Sequence, residues 1–502
     1  MLLLPIQVLA ASPPPFSWLD ADGQPSASAR EALHLLSQAA ADGLAASDYM
    51  TPELIATATM PDGARRPAPS SPLTFERDMD RAMQQYLHDL HFGRVDPRSV
   101  GFRIARRPDA ATDFTAALHS AAAERRLPQW VAELRPRAGQ YGKLREALVR
   151  YRAQDAERPP DHLTAALPVR LGHAFDGAAA LRRLLVAFGD LRADAPPVVG
   201  HYDSTLAEGV RRFQGRHGLA ANGVIDRATL EALNTPISKR VQQLELALER
   251  LRWLPDLEGG RFIGINIPMF RLWAWDTAVP AEAPITMGVV VGKALNTRTP
   301  VLSDEMRYLI FRPYWNVPRS IVTGELLPTV TRDPDYLRRN DMEIVQGEGD
   351  SAHAVSASAE ALEMLRNGTL RVRQRPGPKN SLGLVKFIFP NDDNVYLHGT
   401  PATQLFGRVR RDFSHGCVRL EDPVALAQWV LDDQPRWTRQ RIEEAMAGST
   451  SLRVNLSRPI PVILFYMTAM VMPSDQTLHF APDIYGHDAA LARALAARQR
   501  AP

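Results

Sequence analysis

The sequence predicts a multidomain α+β protein with a mainly helical N-terminal half and a mainly β C-terminal domain. At 502 residues the chain is too long for one hydrophobic core, so two to four domains are expected. Residues 27–165 are rich in alanine, arginine and leucine and show helical periodicity, for example from Phe75 to Leu90. Further along, the β-branched runs Phe262–Pro268 and Met287–Gly292 predict strands.

Composition and charge narrow the range of functions. Hydrophobic residues make up 45% of the chain and charged residues 23%, which is typical of an ordinary globular protein. There are 59 basic and 56 acidic residues, a formal net charge of +3. Electrostatics therefore gives no support for nucleic-acid binding.

Cys417 is the only cysteine in the chain. It cannot form an internal disulfide, and a zinc site built from thiolates usually needs more than one cysteine. A lone cysteine is often simply a small buried hydrophobe. Here it follows Ser414, His415 and Gly416, a polar and flexible sequence that favours a tight turn presenting Sγ. We therefore interpret Cys417 as a nucleophile.

A nucleophilic thiol needs a base, because only a few per cent of a free thiol is ionised at neutral pH. His398 ends the run Asn394–Leu397, which predicts a strand delivering its last side chain to a sheet edge. His415 lies two residues before Cys417 and would share its face in an extended segment, although a tight turn can separate them. Spacing alone does not choose between the two histidines, and we favour His398.

The motif around these residues resembles the catalytic signature of the L,D-transpeptidases of bacterial cell-wall assembly. His398-Gly399-Thr400 is followed, nineteen residues after His398, by Cys417 within the sequence Ser-His-Gly-Cys-Val-Arg. The resemblance implies that Cys417 is the nucleophile of an acyltransferase and His398 its base. It also implies that the backbone carbonyl of Gly399 orients the imidazole.

The same resemblance implies an oxyanion hole and a substrate groove. Backbone N–H groups of His415, Gly416 and Cys417 would stabilise the oxyanion, often a large contribution to catalysis. An aromatic stretch, Phe311–Pro318, also matches the large multidomain subgroup of these enzymes, although such clusters more often belong to a core. The side chains expected to line the groove are Arg419, His415, Tyr396, Ser414, Trp315 and Asn316.

The reaction implied is a two-step exchange on peptidoglycan stem peptides, which serve as donor and acceptor. The thiol would release the terminal D-alanine of a tetrapeptide and form a thioester, and an amine of a neighbouring stem would resolve it to a 3→3 cross-link. Carbapenem β-lactams would be covalent inhibitors, and no metal or organic cofactor is expected.

Other functions remain open at this point. An L,D-carboxypeptidase, or an enzyme that attaches proteins to peptidoglycan or detaches them, would share the donor chemistry. A non-catalytic wall-binding protein is a different class, and the intact Cys417, His398 and Arg419 argue against it.

Upstream of this domain, residues 165–235 contain a helix-turn-helix pattern. Apolar Leu206, Val210 and Phe213 follow a helical stripe, and Asp226 is a good N-cap for the next helix. The second helix carries too little positive charge to read DNA. The pattern instead resembles the three-helix peptidoglycan-binding module, with Leu181–Leu185 in its first helix.

The remaining segments complete the predicted organisation. Residues 27–164 resemble the helical scaffold found ahead of the binding module, through the stretch Leu90–Arg98. The catalytic domain would span 236–502, with a helical capping insertion at 319–385 that looks like the lid covering the active site in this subgroup. Such a lid could exclude water and favour an amine acceptor.

The N-terminus indicates export. Met1–Ser12 has an apolar stretch and a small-residue end like those of a signal peptide, but lacks a basic start. We interpret residues 1–26 as a signal-peptide remnant and linker, in preference to an ordinary N-terminal arm, and expect a periplasmic protein. Pro459–Val471 is apolar but too short to span a membrane, so it predicts one or two buried strands.

Overall fold

The computed structural model describes residues 16–61, 68–104, 113–157, 162–198, 200–255, 260–276, 283–295, 297–347 and 352–499. The predicted signal segment Met1–Ser12 lies outside these residues. Among the helices that are described, none is both long enough and apolar enough to cross a membrane.

The first part of the chain is helical, as predicted. Its helices are α1 (Ala27–Ser37), α2 (Pro52–Ala58), α3 (Pro72–Phe92), α4 (Thr115–Ala123), α5 (Leu127–Leu134) and α6 (Gly139–Glu157). Helix α3 begins after Ser71, whose hydroxyl accepts a hydrogen bond from the N–H of Thr74 at 3.4 Å. The side chains of α3 that recur every three or four positions are buried against α1, α4 and α5, namely Phe75, Met79, Met83, Tyr86 and Leu90.

A second helical unit follows, built from α7 (Ala178–Ala187), α8 (Ser204–Arg216) and α9 (Arg227–Leu233). The predicted N-cap is confirmed, because the Asp226 carboxylate accepts a hydrogen bond from the N–H of Thr229 at 2.8 Å. The predicted stripe of Leu206, Val210 and Phe213 is fully buried in this unit's core. Capping and burial thus fix the unit as a small independent core.

The long helix α10 (Ile237–Trp253) connects the helical part to the C-terminal domain. On one side its Leu244 and Leu248 pack with residues of α6 in a shared apolar cluster. On the other side Leu246 and Trp253 belong to the core of the C-terminal domain. One helix therefore contributes to two cores and holds them together.

A buried polar network lies near the C-terminal end of α10. The Glu249 carboxylate accepts hydrogen bonds from the backbone N–H of Arg94 at 2.5 Å and from the Arg252 guanidinium at 3.1 Å. Arg252, which is fully buried, also donates to the Tyr141 hydroxyl at 2.9 Å and to the Asp42 carbonyl. Buried charges are tolerated only when paired and hydrogen-bonded, and Glu249 and Arg252 are paired in this way, with only Nε of Arg252 left without a partner among the described residues.

The C-terminal domain contains most of the strands. In chain order its elements are β1 (Arg261–Asn266), β2 (Arg271–Asp276), β3 (Ile285–Gly292), β4 (Leu302–Phe311), β5 (Trp315–Asn316), α11 (Arg319–Ile321), a π-helical turn (Val322–Leu326), α12 (Leu327–Arg332), α13 (Tyr336–Arg339), β6 (Met342–Gln346), β7 (His353–Val355), α14 (Ala359–Asn367), β8 (Arg371–Gln374), β9 (Val385–Ile388), β10 (Leu397–His398), β11 (Asp412–Ser414), β12 (Val418–Leu420), α15 (Pro423–Val430), α16 (Arg439–Ala447), β13 (Leu452–Phe465), β14 (Ala469–Val471), β15 (Leu478–Phe480) and α17 (His487–Gln499).

The main sheet has nine strands in the order β11-β3-β12-β10-β9-β4-β13-β1-β2. Strand β2 also pairs with β3, so eight of the strands close on themselves around an apolar interior. The predicted strands at Phe262–Pro268 and Met287–Gly292 are confirmed as β1 and β3. The apolar segment Pro459–Val471 forms the end of β13 and all of β14, as predicted.

The insertion between β4 and β9 differs from the helical prediction. Alongside its helices it has its own four-stranded sheet, in the order β5-β8-β6-β7. Buried side chains of β6 and β8, namely Met342, Ile344 and Val372, pack in one apolar cluster with the insertion helices. These strands are only two to five residues long, too short for their period-two pattern to stand out in the sequence.

The small helical unit is docked on the C-terminal domain. The Arg216 guanidinium donates to the backbone carbonyl of Leu478 at 2.6 Å. Next to it, the buried His217 ring stacks between Phe213, at 3.8 Å between centroids, and Phe480, at 5.6 Å. The β14–β15 hairpin therefore serves as the docking platform for this unit.

We predict that Glu249→Gln lowers the free energy of unfolding by about 3–5 kcal/mol, because it leaves the buried Arg252 cation without its carboxylate. Glu245→Gln is the matched control on the same helix. Its ion pair with Arg152 is about one-third exposed, so we expect a loss of about 1 kcal/mol or less. Chemical denaturation measures both, and equal losses would contradict the assigned role of Glu249.

We predict that His217 makes docking of the helical unit sensitive to acid. Burial, with Arg240 and Arg216 nearby, holds the pKa of His217 well below its ordinary value, so the folded protein keeps the ring neutral. Below about pH 6.5 the unfolded chain binds the extra proton, and stability falls by up to about 1.4 kcal/mol per pH unit. His217→Phe should weaken this dependence in thermal melts between pH 7 and 5. The part of the pH dependence that comes from the buried His398 and His487 should remain in this variant, because the pKa values of these residues are lowered to about 3 and about 4.

Candidate active site

The predicted base lies in the middle of the main sheet and not at an edge. His398 closes the two-residue strand β10, which pairs with β9 on one side and β12 on the other. Its direct partners are Lys386 on β9 and Arg419 on β12. Directly opposed residues on neighbouring strands point to the same face. An imidazole flanked by two cations therefore forms one row across the sheet.

The predicted nucleophile lies one row further along the same face. Val418 donates its N–H to the carbonyl of Tyr396 at 3.1 Å, which sets the register of β10 against β12. Cys417 immediately precedes β12, so this register places it opposite Tyr396, and the Tyr396 side chain lowers the pKa of the thiol. Tyr396 was predicted from sequence to contact substrate, and the structure places it against the thiol.

The His398 ring is held in its neutral form. Its ring is buried, and Nδ1 lies 2.5 Å from the carbonyl oxygen of Gly399, which can only accept a hydrogen bond. The proton therefore resides on Nδ1 and leaves a lone pair on Nε2. Burial, followed by the charges of Arg419 and Lys386, lowers the pKa of His398 to about 3. The Gly399 carbonyl thus contacts the imidazole, and its orienting role stays a prediction.

The thiol is also uncharged at rest. Burial raises the pKa of Cys417 above its ordinary value, whereas the Tyr396 hydrogen bonds, Lys386 and Arg419 lower it. Sγ lies 3.9 Å from the carbonyl oxygen of Asn394, and in this conformation it makes no hydrogen bond to the described imidazole of His398. The resting pair is a neutral thiol beside a neutral imidazole.

The turn before Cys417 is held by the serine predicted to line the groove. The buried Ser414 hydroxyl donates to the carbonyl of Cys417 at 2.5 Å and accepts from the N–H of Gly416 at 3.2 Å. Gly416 has φ of +116°, a conformation that L side chains rarely adopt. The Gly416 N–H, predicted as an oxyanion donor, is thus engaged by Ser414 in this conformation.

Two residues that the sequence did not single out support the turn from behind. The buried Thr299 hydroxyl donates to the carbonyl of Gly416 at 2.7 Å and accepts from the N–H of Gly292 at 2.9 Å. The Tyr485 hydroxyl donates to the carbonyl of Gly292 at 2.6 Å. A Cβ added at Gly292 would lie 1.9 Å from the Thr297 carbonyl, so only glycine allows this close approach.

Lys386 was also missed by the sequence analysis. Its ammonium lies 3.6 Å from the centre of the Tyr396 ring, a cation–π contact. The available signal was the strand pattern, because Val385 and Phe387 are buried in the interior and Lys386 between them must face the other side.

Other predicted groove residues belong to the insertion or touch it. Trp315 and Asn316 form β5, which pairs with β8, and Trp315 packs against the insertion's apolar cluster. His415 points to the insertion from the other side, with Nε2 2.7 Å from Oε1 of Glu325. Trp315 therefore packs with the insertion, and His415 links the turn before Cys417 to the insertion.

A cavity of about 780 Å³ lies away from these residues, between the helical scaffold and the outer face of the sheet, where Phe262, Trp275 and Phe465 line it. None of the predicted site residues borders it. Among the described residues, no group of three or more histidine, cysteine, aspartate or glutamate side chains is placed to hold a metal ion.

Comparison with known families agrees with this geometry. Residues 260–443 match the family model of the "L,D-transpeptidase catalytic domain". The C-terminal domain is an L,D-transpeptidase domain. Residues 14–148 match the "Scaffold domain" family and residues 176–233 match the "Putative peptidoglycan binding domain" family. The three matches follow one another along the chain in the predicted order.

A relative in Haemophilus influenzae is similar over part of its length. It is named "Putative L,D-transpeptidase" and is 32% identical over 275 residues, which is 54% of this chain and 54% of the relative. The match thus spans about half the length of the curated relative. It supports the family assignment of the L,D-transpeptidase domain, whereas the roles of individual site residues remain predictions.

We predict that Lys386→Met raises the pKa of Cys417 further, because it removes one of the two cations that stabilise the thiolate. Alkylation by iodoacetamide at neutral pH should slow about three- to tenfold. Cys417 is the only thiol in the chain, so intact mass reports its labelling directly. Lys239→Met, at an exposed position on α10, is the matched control. An unchanged rate in Lys386→Met would show that this ammonium does not stabilise the thiolate.

Proposed function

We propose that this protein is a cysteine-dependent L,D-transpeptidase that acts on peptidoglycan tetrapeptide stems in the periplasm. The observation that carries the proposal is the position of the neutral His398 on the sheet. Its ring contacts the Gly399 carbonyl, and it lies one row from Cys417 on the same face. Both residues fall within the match to an L,D-transpeptidase catalytic domain. The neighbouring match to a peptidoglycan-binding family supports peptidoglycan as the polymer that is recognised.

In the first step Cys417 attacks the carbonyl that joins the third residue of the stem to the terminal D-alanine. Nε2 of His398 takes the thiol proton, the C–S bond forms, and the C–N bond breaks. The same proton then goes to the amine of the departing D-alanine, which leaves a thioester. Sγ and the imidazole are not hydrogen-bonded at rest, so this step requires the pair to close when substrate is bound.

In the second step an amine of a neighbouring stem attacks the thioester carbonyl. The C–N bond forms, the C–S bond breaks, and the amine proton returns to the sulfur through His398. The product is a 3→3 cross-link, and the enzyme is regenerated without a metal or organic cofactor.

The thiolate and the substrate carboxylate share one cationic environment. Lys386 and Arg419 flank His398 on the sheet, and both lower the pKa of Cys417. Arg419 can pair with a carboxylate through two parallel hydrogen bonds. We assign these two residues to the donor side of the groove, where the carboxylate of the departing D-alanine must lie.

The oxyanion is assigned to backbone N–H groups of the turn. Because the Gly416 N–H is bonded to Ser414, the amides of His415 and Cys417 are the donors that we assign. Ser414 then acts by holding the turn, since its hydroxyl bonds the carbonyl of the nucleophile's own residue.

Incubation of the purified protein with disaccharide-tetrapeptides, followed by mass spectrometry of the muropeptides, tests this function. We expect a 3→3 cross-linked dimer, and an intact-mass increase equal to the drug when a carbapenem is added. Cys417→Ala should abolish both, because the nucleophile is lost, and His398→Gln should lower turnover by at least about a hundredfold at an unchanged melting temperature.

Each other outcome has a defined meaning. Tripeptide without dimer would indicate an L,D-carboxypeptidase. Transfer only to a protein amine would indicate an attachment enzyme. An adduct of equal amount on Cys417→Ala, or none on the wild type, would contradict the assignment of the nucleophile.

A further inference from the structure

We propose that Glu325 of the insertion forms an acceptor subsite that recognises a primary ammonium group and so favours cross-linking over hydrolysis. This inference rests on the proposed function and adds a residue and a ligand class to it. The residue lies on the π-helical turn Val322–Leu326, far in sequence from the catalytic motif. Such turns are often found at functional sites.

The position of Glu325 relative to the nucleophile is fixed by a direct contact. Its Oε1 lies 2.7 Å from Nε2 of His415, and His415 is two residues from Cys417 along the chain. The side chain of Glu325 remains 57% exposed and that of His415 32% exposed. The carboxylate therefore lies beside the turn that contains Cys417 and is exposed enough to accept a further ligand.

The charges around the catalytic turn divide into two sides. The sheet beneath the thiol carries the cations Lys386 and Arg419. Among the described contacts of residues 414–417, the only carboxylate is that of Glu325. A donor stem presents a carboxylate at its cleaved end, whereas an acceptor stem presents an ammonium. Each side therefore carries the charge opposite to that of the substrate group it would bind.

Recognition of the ammonium matters in the second step, where water competes with the amine for the thioester. The bound ammonium first loses one proton to solvent. The neutral amine then forms the C–N bond as the C–S bond breaks, and its second proton goes to the sulfur. A carboxylate that holds the cation beside the turn of Cys417 raises the amine's local concentration and leaves the acylation step unchanged.

The test is the ratio of cross-linked dimer to hydrolysed tripeptide formed by Glu325→Gln, which keeps the size and the hydrogen-bonding oxygen but removes the charge. We expect the ratio to fall about three- to fivefold, the effect of losing one partly exposed ion pair. The matched control is Glu363→Gln. It removes an equally exposed carboxylate from α14 of the same insertion and should leave the ratio unchanged.

A second nucleophile distinguishes two roles for Glu325: recognition of the acceptor's positive charge, and positioning of His415. Hydroxylamine is uncharged at neutral pH, so Glu325→Gln should transfer the acyl group to hydroxylamine as efficiently as the wild type. If Glu325 only holds His415 in place, transfer to hydroxylamine falls together with transfer to the ammonium acceptor. His415→Gln would then reproduce Glu325→Gln in both assays. That result would overturn the proposal.

Failure of this inference can be distinguished from failure of the proposed function. Carbapenem acylation of Cys417 reports the donor half of the reaction and should be equal in wild type and Glu325→Gln. If the wild type acylates and cross-links but the ratio is unchanged in the variant, the acceptor subsite is wrong and the transpeptidase assignment stands. If the wild type does not acylate, the proposed function itself fails.

Discussion

The buried carboxylate of Glu249 is the constraint on which the arrangement of the domains depends. It accepts hydrogen bonds from the scaffold at Arg94 and from the fully buried Arg252 of its own helix. Arg252 in turn reaches Tyr141 and Asp42, so three separate segments of the scaffold meet at the end of α10. Space is equally limited there, since a Cβ at Gly93 would lie 2.9 Å from the Glu249 carboxylate.

Because α10 also contributes Leu246 and Trp253 to the L,D-transpeptidase domain, this network fixes the scaffold relative to the catalytic sheet. The helical unit matched to a peptidoglycan-binding family is fixed separately, by Arg216 and His217 on the β14–β15 hairpin. Removal of this unit would expose Phe480 on the hairpin, so truncation would also affect the packing of the C-terminal domain.

The site itself depends on pairing between short strands. Residues of β9, β10 and β12 that are separated in sequence become direct neighbours. This pairing places one cation on each side of a neutral imidazole. Burial and these cations keep His398 unprotonated, while the same cations favour the thiolate of Cys417. At rest, however, the lowered pKa of His398 and the raised pKa of Cys417 keep the proton on sulfur, so in the proposed reaction its transfer to nitrogen requires the surroundings of the pair to change.

The sequence alone determined the fold class, the order of the units and the motif residues Cys417, His398 and Gly399, because these signals are local: helical periodicity, β-branched runs and one short signature. The sequence did not decide whether His398 or His415 is the base, because residue spacing does not define the path of a turn. Only the tertiary structure placed Lys386 beside His398, Thr299 behind the turn and Glu325 against His415. Those contacts join segments that are distant in sequence. They depend on strand register and on the packing of the insertion, and no local sequence pattern encodes either.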